Sequence, residues 1–453
     1  MNELRLFHAL PYPLRTVTAS LRGWRLARWR YGPETEELVE AALERDRWSP
    51  EQWRTWRDER VARILERAAT RVPFYRDLWR RRGRTAPTRL EDWPHLDKEA
   101  VRRDPLAFVT DDREPRRMFP EHTSGSTGTP LRLWWSRETV RAWYALVEAR
   151  SRRWYGVSRD DRWAILGGRL VAPVERRTPP FWVWNAGLRQ LYLSSYHLAP
   201  DLVPHYLEAI ARHRVRYLWG YTSALHALAR AAGGRGRDLG LKVAITNAEP
   251  VSPRQRRDIE EAFGCPVRET YGLAEIVAAA GECEHGTLHL WPEVGHVESE
   301  GDETVATGLL NADMPLIRYR LGDRLRLGAE GCPCGRTLPV LANVDGRDDD
   351  VVVTPDGRRV GRLDPIFKSD LPLHETQVIQ ETRARVRVLY VPADGWSEVH
   401  GEHLLARLRD HLGELDFVLE EVDAVPRIAG KLRSVVSLLP EREPREAPSN
   451  QPA

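Results

Sequence analysis

The sequence predicts an α/β protein: a large N-terminal domain of mainly parallel sheets flanked by helices, a β subdomain, and a small α+β C-terminal domain. Three observations predict this. From about 138 to 265, apolar strands alternate with amphipathic helices, the pattern of βαβ units. Across 287–328 the chain changes to short strands separated by Gly and Asp. Past "NVDGRDDDVVVTPDGRRVG" (343–361), a charged cluster and a Pro-Asp-Gly turn, a compact β-β-α-β pattern follows.

In chain order, residues 1–84 are expected to form a helical region packed on the body. Its start, "MNELRLFHALPYPLRTVTASLRGWRLARWRYG", is basic and Trp-rich and lacks the continuous apolar segment of a signal peptide. It reads either as an amphipathic helix for a membrane surface or as a cap on the body, and the cap is favoured. Residues 35–70 carry helical spacing, with Ser49-Pro50 as a helix-start signal. The core domain is expected over 85–348, with strands in "RWAIL", "VRYLWGY" and "LKVAITNA" and helices near 139–154, 202–213, 223–232 and 253–263. A boundary near Asp349 opens the C-terminal domain, 349–440, with strands in "QVIQE", "ARVRVLYVP" and "DFVLEEVDAV" and a helix near 398–411. The Pro-rich polar tail 441–453 is expected to be disordered.

Composition narrows the function. The chain has 453 residues, 42% hydrophobic and 30% charged, with a net charge of +3. Basic and acidic residues are interspersed, which argues against a nucleic-acid stripe. No apolar run reaches the roughly 18 residues of a transmembrane helix. Four cysteines argue against a disulfide framework and for a reducing, cytoplasmic setting. Only four of the 69 Lys and Arg are Lys (Lys98, Lys242, Lys368 and Lys431), so a surviving Lys is weighted toward sites that need a compact ammonium.

The stretch "EHTSGSTGTPLRLWWS" (121–136) holds Thr123, Ser124, Gly125, Ser126, Thr127 and Gly128, rich in hydroxyl and backbone donors and poor in core-forming surface. Such a loop suits an anion, above all a phosphate chain, although no Gly-Lys-Ser/Thr ends it as in a Walker A loop. By itself it reads more readily as a solvated turn. Four segments follow in fixed order: "NAEP" (247–250), "YGLAE" (271–275), "MPLIRYRLGD" (314–323) with "DGRDDD" (345–350), and "GKLR" (430–433).

This ordered set resembles the adenylate-forming superfamily of acyl-CoA synthetases, peptide-synthetase adenylation domains and luciferases. The SGSTG loop, "YGLAE", "NADMPLIRYRLGD" and "CPCGR" running into "GRDDD" are most similar to its phenylacetate–CoA ligase-like branch, over roughly 85–440. The resemblance implies a two-step reaction: a carboxylate attacks the α-phosphorus of ATP to give acyl-adenylate and pyrophosphate, then a nucleophile displaces AMP. It implies that residues 123–128 wrap the β/γ-phosphates, that the backbone of Ala248, Glu249 and Pro250 borders adenine, and that Tyr271, with Gly272 beside it, stacks on the base. Asn247 matches by position alone. Glu275 would face the magnesium, Asp323 would accept the ribose hydroxyls, and Arg347 would sit near the ribose and phosphate. Lys431 matches the catalytic lysine, whose ammonium stabilises charge between carboxylate and α-phosphate. The C-terminal domain would be mobile, with a hinge within Asp348-Asp349-Asp350.

The cysteines form a second constellation. Cys283 with His285, and Cys332 with Cys334, offer three thiols and an imidazole, the ligand set of a structural zinc site, with His289 as an alternative to His285. Reduced packing cysteines are the competing reading, and Cys265 is assigned to the core. The Trp-rich segments are assigned mostly to the core, with "WGYTSALHALA" (219–229) lying where the family builds its acyl pocket.

The leading expectation is an AMP-forming acid–thiol ligase that joins an aryl or arylacetic acid to coenzyme A. The alternatives are an adenylating enzyme whose acceptor is an amine or carrier-protein thiol, and a non-catalytic nucleotide-binding protein. A homodimer stays among the states to be expected.

Overall fold

Two helices show how local chemistry sets element boundaries. At Ser49, Oγ accepts from the Gln52 amide at 3.2 Å while Gln52 Oε1 accepts from the Ser49 amide at 2.8 Å, with Pro50 in the first turn. Ser252, Pro253 and Gln255 repeat the arrangement at the start of another helix. The computed structural model describes residues 3–123, 131–300, 303–328, 331–345, 351–361, 363–367, 371–426 and 433–439. Helices α1 (Glu3–Ala9), α2 (Tyr12–Arg30), α3 (Thr35–Arg45), α4 (Pro50–Arg71), α5 (Pro73–Arg81) and α6 (Lys98–Arg103) precede the main sheet.

Five parallel strands form the centre of that sheet, side by side in the order Gln190–Ser194, Trp163–Gly167, Tyr217–Tyr221, Val243–Asn247 and Val267–Gly272. Four residues of Val243–Asn247 are buried, as a strand covered on both faces requires. Helices α8 (Val203–Arg212), α9 (Thr222–Ala232) and α10 (Pro253–Phe263) bury one face through Leu207, Ile210, Leu225, Leu228, Ile259 and Phe263. α7 (Arg137–Ser151) lies near the expected 139–154 and packs in the cluster around Val140, Ala145 and Ala149.

The sheet as a whole is mixed rather than mainly parallel. Trp182–Asn185 adds antiparallel at one edge. Ala279–Glu282, Leu288–Leu290, Val340–Asp345 and Arg324–Leu327 extend the other edge, each antiparallel to its neighbour. The reason lies in the connections: past Gly272 no α-helix intervenes before these strands, and parallel pairing needs a long crossover. Strands Gly295–Glu300, Glu303–Gly308 and Tyr319–Arg320 make a separate antiparallel sheet within the expected β segment.

The chain from 351 onward gathers its own core. Strands Asp416–Glu421, Arg385–Pro392, Leu373–Gln380 and Val435–Ser437 lie in that order, with α11 (Glu398–Leu412) contributing Leu404, Leu408 and Leu412. The three-residue outer strand Val435–Ser437 had no readable periodicity. This unit meets the body through Leu170, Val174 and Tyr196, and buried Arg358 donates to the carbonyls of Tyr196 (3.0 Å) and Leu412 (2.7 Å).

The N-terminal helices are tied down by close polar contacts. Arg15 Nη1 donates to the Val171 carbonyl at 3.1 Å, and the Ala186 amide donates to Ser20 Oγ at 3.0 Å. A Cβ on Gly23 would stand 1.8 Å from Asn185 Oδ1, so only glycine allows this approach.

The deepest tie is ionic. Arg150 on α7 is fully buried; Nε donates to Asp46 at 2.8 Å, and Nη1 and Nη2 grip both oxygens of Glu293 at 2.7 and 2.9 Å. Burial alone would raise the Glu293 carboxyl, but Arg150 and Arg45 overcome it and hold it below the usual range. Its contribution to stability is therefore present above an unfolded pKa of about 4.3 and is lost as pH falls through its lower folded value. Arg150→Ala is expected to cost about 3–5 kcal/mol in denaturant unfolding, because two buried carboxylates keep only Arg45 and the Trp154 indole between them. A loss below 1 kcal/mol, on the scale of an exposed pair, would contradict this account.

Candidate active site and metal centre

Two of the family-like motifs sit at the carboxyl ends of adjacent parallel strands, where open α/β sheets bind ligands. "NAEP" leaves the end of Val243–Asn247, and "YGLAE" overlaps the end of Val267–Gly272. The chain pays for both exits in backbone strain: Ala248 has φ +65° and the β-branched Ile276 has φ +51°.

Each expected site residue has a definite surrounding where the structure describes it. Buried Thr123 closes the neck of the Ser/Thr/Gly loop, its amide donating to the Leu131 carbonyl at 3.2 Å and its Oγ1 accepting from the Leu131 amide at 2.9 Å. Ser124, Gly125, Ser126, Thr127, Gly128, Arg347 and Lys431, with the hinge Asp348-Asp349-Asp350, lie outside the described residues. The Glu249 carboxylate accepts from the Ser223 amide (2.6 Å) and Ser223 Oγ (3.0 Å), so this side chain caps α9. The Glu249 carbonyl accepts from Thr222 Oγ1 at 3.0 Å, and Ala248 and Pro250 on either side of it are exposed. Beside it, buried Asn247 Oδ1 has no hydrogen-bond partner among the described residues.

Tyr271 and Asp323 come together from positions 52 residues apart: Tyr271 Oη donates to Asp323 Oδ2 at 3.0 Å. Burial, then the Asp323 charge, raises the Tyr271 phenol well above its ordinary value, so it stays protonated. Gly272 follows it at an exposed position, and Gly322, with φ +79°, turns the chain into Asp323. Glu275 is buried, accepts from Tyr319 Oη at 3.0 Å, and has Lys98 Nζ at 3.7 Å. Sequence reasoning missed Lys98 and Tyr319. Lys98 carried a signal, being one of four lysines in the chain, although 177 residues separate it from Glu275.

The cysteine constellation is assembled with one change. Cys283, His289, Cys332 and Cys334 bring their ligand atoms within 4.8 Å of one another, a set that could hold a metal ion. His289 rather than His285 is the imidazole in this group. The strand pairing Leu288–Leu290 with Val340–Asp345 carries His289 toward the Cys332–Cys334 turn, whereas His285 lies in the turn between Ala279–Glu282 and Leu288–Leu290. His289 Nδ1 is 3.2 Å from the Leu338 carbonyl and Nε2 is 3.4 Å from Cys334 Sγ, an arrangement that turns Nε2 to the thiols. Cys265 is buried in the core cluster of α8–α10. Trp219 packs with Trp163, and the Arg152 guanidinium lies over both rings at 5.2 and 5.5 Å.

The AMP-binding enzyme family model matches residues 54–310, more than half of the 453 residues. The chain belongs to the AMP-binding enzymes. Within that family it is 26% identical to the phenylacetate-coenzyme A ligase of Thermus thermophilus over 355 residues, 71% of this chain and 74% of that one. It is also 28% identical to protein CapK of Staphylococcus aureus over 244 residues, covering 52% of this chain and about half (54%) of CapK. The fold is that of a 2-hydroxyisobutyryl-CoA ligase crystallised with 2-HIB-AMP and CoA (TM-score 0.53, 18% identity, 87% of this chain and 91% of that one).

In this AMP-binding enzyme the Glu275 cluster is open to a stability test. Tyr319→Phe is expected to cost about 1–3 kcal/mol, the penalty of leaving a buried acceptor unmatched. Combined with Glu275→Ala, the two losses should fall short of their sum, and strict additivity in denaturant unfolding would break the assigned contact.

Proposed function

We propose that the protein is an ATP-dependent, AMP-forming carboxylic acid ligase that makes an acyl-adenylate and transfers the acyl group to coenzyme A, with an aryl or arylacetic acid as substrate. The observation that carries this reading is the convergence of Asn247, Tyr271, Asp323 and Glu275 beside two strained strand exits. The orphaned Asn247 Oδ1 is an acceptor suited to the exocyclic amine of adenine. Tyr271 supplies a protonated aromatic ring for the base, and Asp323 a carboxylate for the ribose hydroxyls. Glu275 is the acidic group toward a magnesium ion, which would screen the phosphate charges. Lys431 stabilises the charge that builds as the carboxylate oxygen bonds to the α-phosphorus and pyrophosphate departs.

The second part of the proposal is a structural zinc held by Cys283, His289, Cys332 and Cys334. Tetrahedral zinc with Zn–S near 2.3 Å sets sulfurs about 3.8 Å apart and a sulfur–nitrogen edge of about 3.5 Å. The Cys283–Cys332 and Cys334–His289 separations of 3.7 and 3.4 Å support it. Burial pushes the Cys283 thiol up to about 11, so binding at neutral pH would release its proton.

Acid-dependent ATP–pyrophosphate exchange tests the first step without knowledge of the acceptor. Lys431→Ala is expected to slow exchange about 10²-fold or more, while preformed acyl-adenylate still passes its acyl group to coenzyme A at a near-normal rate. Equal impairment of both steps would remove Lys431 from this role, and no exchange with any aryl, alkyl or amino acid would overturn the ligase reading. For the metal, purified protein is expected to hold about one zinc per chain, lost with a fall in melting temperature in Cys332→Ser and His289→Ala but retained in His285→Ala. Metal-free protein with an unchanged melting temperature would leave the cysteines as packing residues.

A further inference from the structure

Helix α2 turns an apolar stripe to solvent as well as packing on the body. A helix lying on a globular body normally turns its apolar stripe inward. Here the inward face carries buried Arg15 and Ser20, hydrogen-bonded to the body, and buried Gly23, with half-buried Tyr12, Ala19 and Leu26 on the same side. The apolar residues Leu14, Val17, Leu21 and Trp24 recur once per turn on the opposite side and are 50%, 53%, 55% and 51% exposed. Leu6 of α1 adds a fifth, also 50% exposed. Five of the nine large apolar side chains exposed among the described residues therefore fall between positions 6 and 24.

Charge says what such a face fits. Arg25 and Arg28 are exposed on the same side of α2 as the stripe, with exposed Arg22 and Arg5 flanking it. No Asp or Glu occurs from Leu4 to Pro33. A second copy of the chain would set arginines against arginines, so the face is poorly matched to itself. An anionic lipid surface offers both an apolar layer and a dense plane of phosphates, and Trp favours that interface. No described helix is long and apolar enough to cross a membrane, so the contact is with one leaflet.

We propose that α2 rests on an anionic lipid bilayer, with Leu14, Val17, Leu21 and Trp24 at the boundary of headgroups and acyl chains and Arg25 and Arg28 on lipid phosphates. The body hangs from the opposite side of the same helix. One helix of this size gives a reversible, salt-sensitive anchor.

Flotation of the full chain with extruded vesicles tests the proposal. Binding is expected to vesicles of phosphatidylcholine with phosphatidylglycerol, to weaken with added salt, and to be slight on phosphatidylcholine alone. Leu21→Ser with Trp24→Ser is expected to lower the partition coefficient about tenfold or more by removing buried apolar area. Arg25→Gln with Arg28→Gln is expected to lower it about tenfold or more on anionic vesicles and to flatten the salt dependence. All four positions are exposed, so melting temperature and pyrophosphate exchange should stay unchanged. Failure of the wild-type chain to float with anionic vesicles, or equal flotation of wild type and both variants, overturns the proposal. A concentration-dependent dimer in sedimentation velocity that Leu21→Ser with Trp24→Ser dissolves, without vesicle binding, would assign the face to a second copy instead.

Discussion

The Arg150 guanidinium is the constraint on which the rest of the molecule depends. It joins three segments distant in sequence: the end of α3 through Asp46, α7 on which it sits, and the turn at Glu293. Asp46 works on both its faces. Its carboxylate takes Arg150 and the Trp154 indole, while its carbonyl accepts from the Thr337 amide at 3.1 Å, close to the cysteine turn. One buried cation thus couples the helical N-terminal region, the sheet and the metal-site hairpin. A buried ion pair contributes little net stability over an apolar alternative, but it is intolerant of wrong geometry, and here it fixes how these segments sit on one another.

That rigidity is what the candidate active site draws on. Ala248 and Ile276 hold left-handed backbone at a cost of order 1–3 kcal/mol each, sustainable only where the surroundings leave no alternative. Ile276 is fully buried and joins the same core cluster as α7, and Glu275 next to it is held by Tyr319 and Lys98. Strain and satisfied contacts together hold Tyr271 and Glu275 in place before any ligand arrives, which is the preorganisation an electrostatic site requires.

What the sequence disclosed follows the reach of each interaction. Ser49-Pro50 announces a helix because capping acts within four residues, and the parallel strands are readable because burial on both faces makes continuous apolar runs. The antiparallel edge was not readable, since it depends on short connections rather than on any property of Ala279–Glu282 itself. His289 displaced His285 for the same reason: spacing along the chain favoured the nearer histidine, but pairing with Val340–Asp345 chose the other. Lys98 was visible as a rare lysine and invisible as a partner of Glu275. On α2, composition left a cap on the body and a membrane-surface helix both open, and only the contacts of Ser20 and Gly23 with residues 185–186 show which side is turned inward.

The proposed two-step chemistry places a demand on the interface between the body and the unit that follows residue 351. Arg358 spans it, donating to Tyr196 on the body and to Leu412 on α11, and the Arg177–Asp356 pair at 3.0 Å lies nearer the surface. An exposed pair of that kind contributes about 0–1 kcal/mol. The buried guanidinium is different, because moving the unit would strip it of a carbonyl at the moment its own unit's Leu412 carbonyl stays in place. If the unit rotates between the two steps, as the resemblance implies, a rotation that keeps Arg358 bonded to Leu412 and exchanges Tyr196 for water would cost least, since the charge would gain solvent as it lost the body. The apolar part of the interface, Leu170 and Val174 against the core of the small unit, would then supply most of the resistance. The polar contacts set where the unit docks, and the apolar ones set how firmly it stays.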